Sequence, residues 1–306
     1  MIAVDGSFDQ PASEAPPAVR LARDISARGA LLAIERSCID ELKLNASTLE
    51  QARSAEALHR MRVALRRWRT ALDALGKAAT PEDAAAAVEL KWIAGELDDA
   101  RDLDVFAHGQ GARRTRGGAR PRGAAAFAKA LAKARSGAYD RAAQALGSDR
   151  WRRFIWDATR RAAGPGWIDD DGPRARTLAA VALRQRARRV TSDGKRLRKL
   201  DPHARHRLRI QTKKARYTAE LFADLFDHPR RRRRFVEALR TLQGALGDLN
   251  DIHVGQGLAE RLVREAAAPG AAIANRFAGD ETERVEGLLR KARKAYDRFV
   301  RVEAFW

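Results

Sequence analysis

The stretch that decides the fold reads HRMRVALRRWR over residues 59–69, and it returns in closely similar chemistry as HRLRIQTKKAR over residues 206–216. Each copy begins with a histidine and places a basic residue three, seven and ten positions further along. Because an α-helix turns by about 100° per residue, these spacings keep the four side chains on one side of a helix. The sequence therefore predicts two similar helices, each with one cationic face.

Each predicted basic face is narrow and long. Its four side chains fall within an arc of about 80°, and they extend over about 15 Å at a rise of 1.5 Å per residue. Like charges three or four positions apart destabilise a helix by about 0.2–0.5 kcal/mol per pair. A bound linear anion with several charges would offset this repulsion. We define the basic face of the first copy as His59, Arg62, Arg66 and Arg69, and that of the second copy as His206, Arg209, Lys213 and Arg216.

A second motif follows each basic stretch. LDDARDLDV at residues 97–105 corresponds to LGDLNDIHV at residues 246–254, and the members of both motif pairs lie about 150 positions apart. Such a nearly constant separation predicts a tandem duplication. A weaker correspondence at the same separation joins Trp156 to Trp306.

The rest of the chain predicts an all-α fold. From Val19 onward Ala, Leu, Arg and Glu dominate, and apolar residues recur at spacings of three and four. We expect helix breaks before Asp102 and Asp251, with these aspartates as N-caps, and a helix end at Gly247. The expected organisation is a disordered arm over 1–17, a first repeat over about 18–163, a linker rich in Asp, Gly and Pro over about 164–173, and a second repeat over about 174–306.

The charge balance favours a polyanionic partner. Sixty Lys and Arg against 40 Asp and Glu leave a net charge of +20, well beyond the magnitude of about 2–8 that suits a small soluble domain. The single cysteine, Cys38, excludes an intrachain disulfide and is expected to be buried. The sequence shows no signal peptide and no apolar stretch long enough to span a membrane, so we expect a cytoplasmic protein.

Several plainer interpretations compete with an anion site. Most charge runs are solvated surfaces held by salt bridges, but repetition at matching helical angles favours a specific role. His203 and His206 form the sole histidine pair at a metal-binding spacing, and the first copy has no histidine that matches His203. We therefore predict neither a metal site nor a cofactor. Four tryptophans in apolar registers are expected to be core residues rather than stacking platforms: Trp68, Trp92, Trp151 and Trp156.

The aspartates after each basic helix have two interpretations. A cluster of carboxylates can hold a divalent ion for phosphate hydrolysis, which would use Asp102 and Asp251. We favour a structural role, as helix caps or as partners that orient the basic faces. The cluster comprises Asp98, Asp99, Asp102, Asp104, Asp248 and Asp251.

Four motifs in this order resemble the two repeats of the CHAD family, the conserved-histidine α-helical domain. They are HRMRVALRRWRTAL (59–72), ELKWIAGELDDARDLDV (89–105), RHRLRIQTKKARYTAELF (205–222) and ALRTLQGALGDLNDIHV (238–254). The resemblance implies two helical bundles related by a pseudo-twofold axis, with their basic helices around a central cleft or pore. It also implies a docking module for inorganic polyphosphate that is found on polyphosphate granules and is not itself catalytic.

The resemblance further implies which residues line the anion site. The two basic faces come first, and the second choices are Arg60, Arg67, Arg207, Lys214, Lys91 and Arg240. CHAD domains are often joined to a CYTH domain, which is marked by Glu-x-Glu-x-Lys. The nearest match, ETERV at residues 281–285, lacks the lysine, so we expect a standalone CHAD protein.

Non-specific nucleic-acid binding is the main alternative, because net charge alone would support it equally well. The sequence contains no recognised nucleic-acid reading motif and no alternation of aromatic and basic residues. We therefore rank nucleic acid below polyphosphate as the partner.

Overall fold

A computed structural model describes residues 19–108, 124–164, 172–265 and 281–306. Within these ranges the fold consists of nine α-helices and contains no strand longer than an isolated bridge, which confirms the all-α class. The helices are α1 (Ala27–Ala52), α2 (Ala55–Leu75), α3 (Pro81–His108), α4 (Ala124–Leu146), α5 (Asp149–Ala163), α6 (Ala175–Gly194), α7 (Pro202–Leu221), α8 (Pro229–Glu265) and α9 (Glu281–Val300). The predicted arm over 1–17 and most of the predicted linker lie outside the described residues.

The two basic stretches lie on α2 and α7, and both helices begin in the same way. The Ser54 hydroxyl accepts a hydrogen bond from the Ala57 amide at 3.2 Å, and the Asp201 carboxylate accepts one from the Ala204 amide at 2.7 Å. These N-caps satisfy amides that the first turn leaves without partners. Each histidine follows its cap by five residues, so the two faces start at the same point of their helices.

The helices pack in two successive series. In the first half α1 packs on α2, α2 on α3 and α3 on α4, and in the second half α6 packs on α7, α7 on α8 and α8 on α9. Helix α5 packs on α1, α3 and α4. The apolar side of α2 buries Leu58, Leu65 and Trp68, and the Trp68 ring stacks on Phe154 with 5.6 Å between centroids. Burial of this apolar side turns the basic face of α2 away from the core.

The two halves meet through matching elements. The Ala27 amide donates to the Pro173 carbonyl at 2.8 Å, and the Ala175 amide donates to the Ile25 carbonyl at 3.0 Å. Helix α1 contacts α6, and α2 contacts α7. This reciprocal exchange is what a two-fold relation between the halves would produce, while the repeat boundaries and the central cleft or pore stay predictions.

The structure corrects the predicted helix breaks. Helix α3 runs without interruption through Asp102 to His108, and α8 runs through Gly247 and Asp251 to Glu265, so neither aspartate is an N-cap. In α3 the buried Leu97, Ala100 and Leu103 continue one apolar stripe across the predicted break. Packing of that stripe outweighs the weak helix propensity of aspartate.

Two expectations about tryptophan are wrong. Trp68 and Trp151 are buried and Trp92 is half-buried, but Trp156 is 62% exposed. Trp156 also lies within α5, whereas Trp306 follows the end of α9, so the two are not equivalent.

The better correspondence uses an Ala-Tyr-Asp-Arg sequence that occurs once in α4 and once in α9. Its Ala-Tyr pairs, Ala138-Tyr139 and Ala295-Tyr296, are buried in both helices. Helices α4 and α9 each pack on the third helix of their half. Cys38 is buried as expected, and burial raises the pKa of its thiol to about 12. No helix in the described part of the chain is long and apolar enough to cross a membrane.

Candidate functional site: a cation cluster between two helices

The two basic faces meet at one aromatic ring. The guanidinium of Arg66, from α2, lies 4.0 Å from the ring centroid of Tyr217, and that of Arg216, from α7, lies 4.5 Å from the same centroid. Tyr217 thus holds one cation from each half through its π face. Sequence reasoning missed Tyr217, because its counterpart in the first copy is Thr70.

Lys213 lies among arginines of both helices. Burial is the main reason that its pKa falls to about 8, and the charges of Arg209, Arg66, Arg62 and Arg216 add to the effect. Burial also lowers the pKa of Arg66. In the described ranges no carboxylate forms an ion pair with Lys213. We call these five residues the cation cluster: Arg62, Arg66, Arg209, Lys213 and Arg216.

The two histidines have different surroundings. His59 is half-buried, and burial lowers its pKa, assisted by the charges of Arg101 and Arg66. In the second half Nδ1 of His206 lies 2.6 Å from Oδ1 of Asn250. Since an amide oxygen can only accept, Nδ1 donates this bond. Arg101 and Asn250 occupy matching positions in the repeated LDD/LGD motif, and sequence reasoning had selected neither.

Some predicted cations are already paired with carboxylates. Arg62 pairs with Asp98, and Arg216 pairs with Glu220 at 2.7 Å and also donates to Gln243 at 2.8 Å. Among the second choices, three are paired: Arg60 with Glu56 at 2.9 Å, Lys214 with Asp73 at 3.8 Å, and Arg240 with Glu220 at 3.4 Å. These ion pairs agree with the alternative of a salt-bridged surface for this part of the set, and an anion-binding role of these residues stays a prediction.

The remaining predicted cations differ in exposure and pairing. Arg69, Lys91 and Arg207 are exposed and form no ion pair within the described ranges, and Arg67 is half-buried with a partner of its own. The structure brings the central members of both faces together and leaves these four outside the cluster.

A carboxylate of the first basic helix joins the two halves. Asp73, near the end of α2, lies 2.7 Å from Arg186 of α6, whose side chain is buried. Glu220 is the counterpart of Asp73 in the sequence repeat, but it pairs with Arg216 and Arg240 inside its own half. The repeat in sequence is therefore not a repeat in ion pairing.

Three other aspartates of the cluster hold helices together. Asp99 pairs with Arg141 at 2.8 Å, and Asp248 pairs with Lys291 at 3.3 Å, so each fastens the third helix of a half to the fourth. Buried Asp104 accepts hydrogen bonds from Arg135 and from the Tyr139 hydroxyl, both at 2.6 Å. The Asp251 side chain lies outside the described residues. Elsewhere, no three His, Cys, Asp or Glu side chains of the described residues are grouped as a metal site would require.

Comparison with known proteins agrees with this architecture. The fold matches the crystal structure of the CHAD domain from the plant Ricinus communis with a TM-score of 0.76 and 26% identity, over 92% of this chain and 95% of that one. PptA from Streptomyces chartreusis matches with a TM-score of 0.65 at 19% identity, over 89% and 99% of the two chains, and shows the fold alone. Among curated proteins none matches the chain. Residues 33–260 match the CHAD domain, and the chain therefore belongs to the CHAD family.

Proposed function

We propose that this chain binds inorganic polyphosphate at the cation cluster and acts in the cytoplasm, on polyphosphate granules, as a docking module without catalytic activity. The CHAD family is linked to polyphosphate binding. The observation that carries the proposal is the position of Lys213, whose neighbours are arginines from both basic helices. A cluster of this kind destabilises the empty protein, and a polyanion that enters it would remove the repulsion.

A linear phosphate polymer suits the shape of the cluster. The cations lie on two helices in contact, so a chain that follows the contact would meet guanidinium groups from both sides. Arginine can donate two parallel hydrogen bonds to one phosphate, whereas lysine acts as a point charge. Each phosphate unit carries charge, so affinity should rise with chain length until the polymer spans the faces.

The pairing of the aspartates with basic side chains favours a binding function over a hydrolytic one. Asp98, Asp99 and Asp248 each face a basic side chain. Basic side chains already neutralise these carboxylates. This favours a structural role as partners of basic residues over the coordination of a metal ion.

The direct test is a titration of Arg66→Ala plus Lys213→Ala with polyphosphates of several lengths. A matched control is Arg153→Ala plus Lys129→Ala, which also removes one arginine and one lysine, both exposed and without an ion pair in the described structure. We expect affinity to fall more than about ten-fold in the cluster variant and to change little in the control. Equal affinities in the two variants would refute the site.

Competition at one fixed salt concentration separates polyphosphate from nucleic acid. Salt dependence does not separate them, because affinity for any polyanion should fall as salt rises, since bound cationic side chains displace its counterions. We expect long polyphosphate to displace duplex DNA and RNA from the chain. Displacement of polyphosphate by the nucleic acid at matched phosphate concentration would support the alternative function instead.

A further inference from the structure

The two basic faces differ at one pair of matching positions. Arg62 and Arg209 are equivalent in the repeated basic stretch, and Asp98 and Gly247 are equivalent in the motif that follows it. In the first half Asp98 pairs with Arg62. In the second half glycine removes the carboxylate from the corresponding place.

The geometry shows that Gly247 faces Arg209 as Asp98 faces Arg62. A Cβ atom placed on Gly247 would lie 4.0 Å from Nε of Arg209, and it would meet no other neighbouring atom within that distance. A carboxylate on residue 247 would therefore reach the guanidinium of Arg209. The absence of a side chain here leaves that guanidinium without a counter-ion among the described residues.

Arg209 also carries an unused donor. Its Nε is buried and has no hydrogen-bond partner within the described residues. A buried N–H without an acceptor is costly and uncommon in folded proteins, and in a basic cluster an incoming anion is the natural acceptor. The Nε edge of arginine is also one of the edges through which it makes bidentate contacts with phosphate.

We propose that Arg209 is the primary phosphate anchor of the site. In the first half Asp98 competes with phosphate for the guanidinium of Arg62. This inference rests on the proposed function. A phosphate that reaches Arg62 must displace a carboxylate, whereas one that reaches Arg209 meets a donor that is already free. The two halves would therefore contribute unequally, although their sequences place the same residues at the same helical angles.

Reciprocal substitutions test the inequality. Gly247→Asp installs the missing carboxylate, and Gly247→Asn installs a neutral group of nearly the same size. We expect Gly247→Asp to weaken polyphosphate binding at least ten-fold and Gly247→Asn to weaken it less than three-fold. Both replacements improve helix propensity over glycine, and a Cβ atom at this position would be in no more than van der Waals contact with Arg209, so thermal unfolding should confirm that both variants fold.

The converse change releases Arg62. Asp98→Asn should strengthen binding several-fold, and Asp99→Asn, which removes the same charge one position away from a pair with Arg141, should change it little. Arg209→Ala should cost more affinity than Arg62→Ala. Equal losses in the two arginine variants, or equal affinities of Gly247→Asp and Gly247→Asn, would overturn the inference while leaving polyphosphate binding intact. No binding by the unmodified chain would overturn the proposed function itself and this inference with it.

Discussion

Arg66 stacks on Tyr217 across the boundary between the two halves of the chain, with its guanidinium 4.0 Å from the ring centroid. Arg216 occupies the other contact with the same ring, at 4.5 Å. The ring gives both like-charged groups one shared attractive partner. Tyr217 therefore assembles the cluster as well as contacting it.

Replacement of Tyr217 by leucine should loosen the cluster. Cation–π contacts contribute about 0.5–2 kcal/mol each, depending on how far they are desolvated. We expect Tyr217→Leu to lower the unfolding temperature and to reduce polyphosphate affinity several-fold, as measured by thermal unfolding and by titration. Tyr217→Phe keeps the ring and should behave like the unmodified chain. If leucine and phenylalanine gave equal affinities, the ring would have no role in the site.

Lys213 should take up a proton when the anion binds under mildly alkaline conditions. Its pKa of about 8 means that much of it is neutral in the free protein between pH 8 and 9, and a bound polyanion would raise that pKa. Calorimetric titrations in buffers of different ionisation enthalpy should show proton uptake of about half a proton or more at pH 8.5. Arginine stays protonated, so Lys213→Arg should abolish the uptake at this pH. Uptake that persisted in this variant would place the titrating group elsewhere.

Lys213 should lower the stability of the free protein while it contributes to polyphosphate binding. In the unfolded chain a lysine has a pKa of about 10.4, so between about pH 8 and 10.4 the unfolded state binds more protons and the contribution of Lys213 to the free energy of unfolding rises with pH. Lys213→Met removes the buried charge and should stabilise the empty protein at pH 7 while weakening polyphosphate binding. Denaturant unfolding without ligand checks the first effect. A destabilised Lys213→Met variant would show that packing of the lysine stem outweighs its charge.

Much of the site could be predicted from local sequence, because its main determinants are local. The spacing from His59 to Arg69 fixes both a helix face and its positive charge. These features need no knowledge of the other half. The repeat then predicts a second helix of the same kind.

What the sequence could not predict depends on contacts between distant segments. Asp73 and Glu220 look equivalent, yet one reaches across to Arg186 and the other stays in its own half. The predicted helix break at Asp102 was wrong, because burial of an apolar stripe outweighs the local capping preference of aspartate. That burial is visible only in the packed helices. The lack of a carboxylate side chain at Gly247, opposite Arg209, likewise becomes visible only when α7 and α8 are placed side by side.

The Asp73–Arg186 pair should stabilise the contact between the halves. Arg186 is buried and depends on one carboxylate that is itself 56% exposed, so Asp73→Ala leaves a buried guanidinium without its counter-ion. Hydrogen bonds to charged groups contribute about 1.5–3 kcal/mol, and we expect a loss of free energy of unfolding in that range by denaturant titration. Asp73→Ala combined with Arg186→Met should lose less than the two single losses added together. Additive losses would mean that the pair is not coupled.

The buried ion pair of Glu35 and Arg161 should contribute strongly to the stability of the first half. Glu35 is fully buried in α1 and pairs with Arg161 of α5, which also lies 3.9 Å from the buried Asp83 of α3. Burial raises the pKa of Glu35, and Arg161 opposes that rise. Loss of Arg161 would leave two buried carboxylates with less compensation, and breaking a buried pair typically costs about 3–5 kcal/mol.

Arg161→Met should therefore lower the free energy of unfolding at pH 7 by about 3 kcal/mol, as measured with urea. The sign of its pH dependence follows from Glu35. Because the pKa of Glu35 is raised in the folded state, the folded protein binds this proton more readily than the unfolded chain does. The destabilisation by ionised Glu35 should therefore shrink as the pH falls towards the pKa that Glu35 has in the unfolded chain. Arg161→Met should magnify that recovery, and Glu35→Gln in the same background should remove it. A deficit that stayed constant with pH in Arg161→Met, and that Glu35→Gln left unchanged, would show that Arg161 stabilises the bundle through packing of its stem and not by neutralising Glu35.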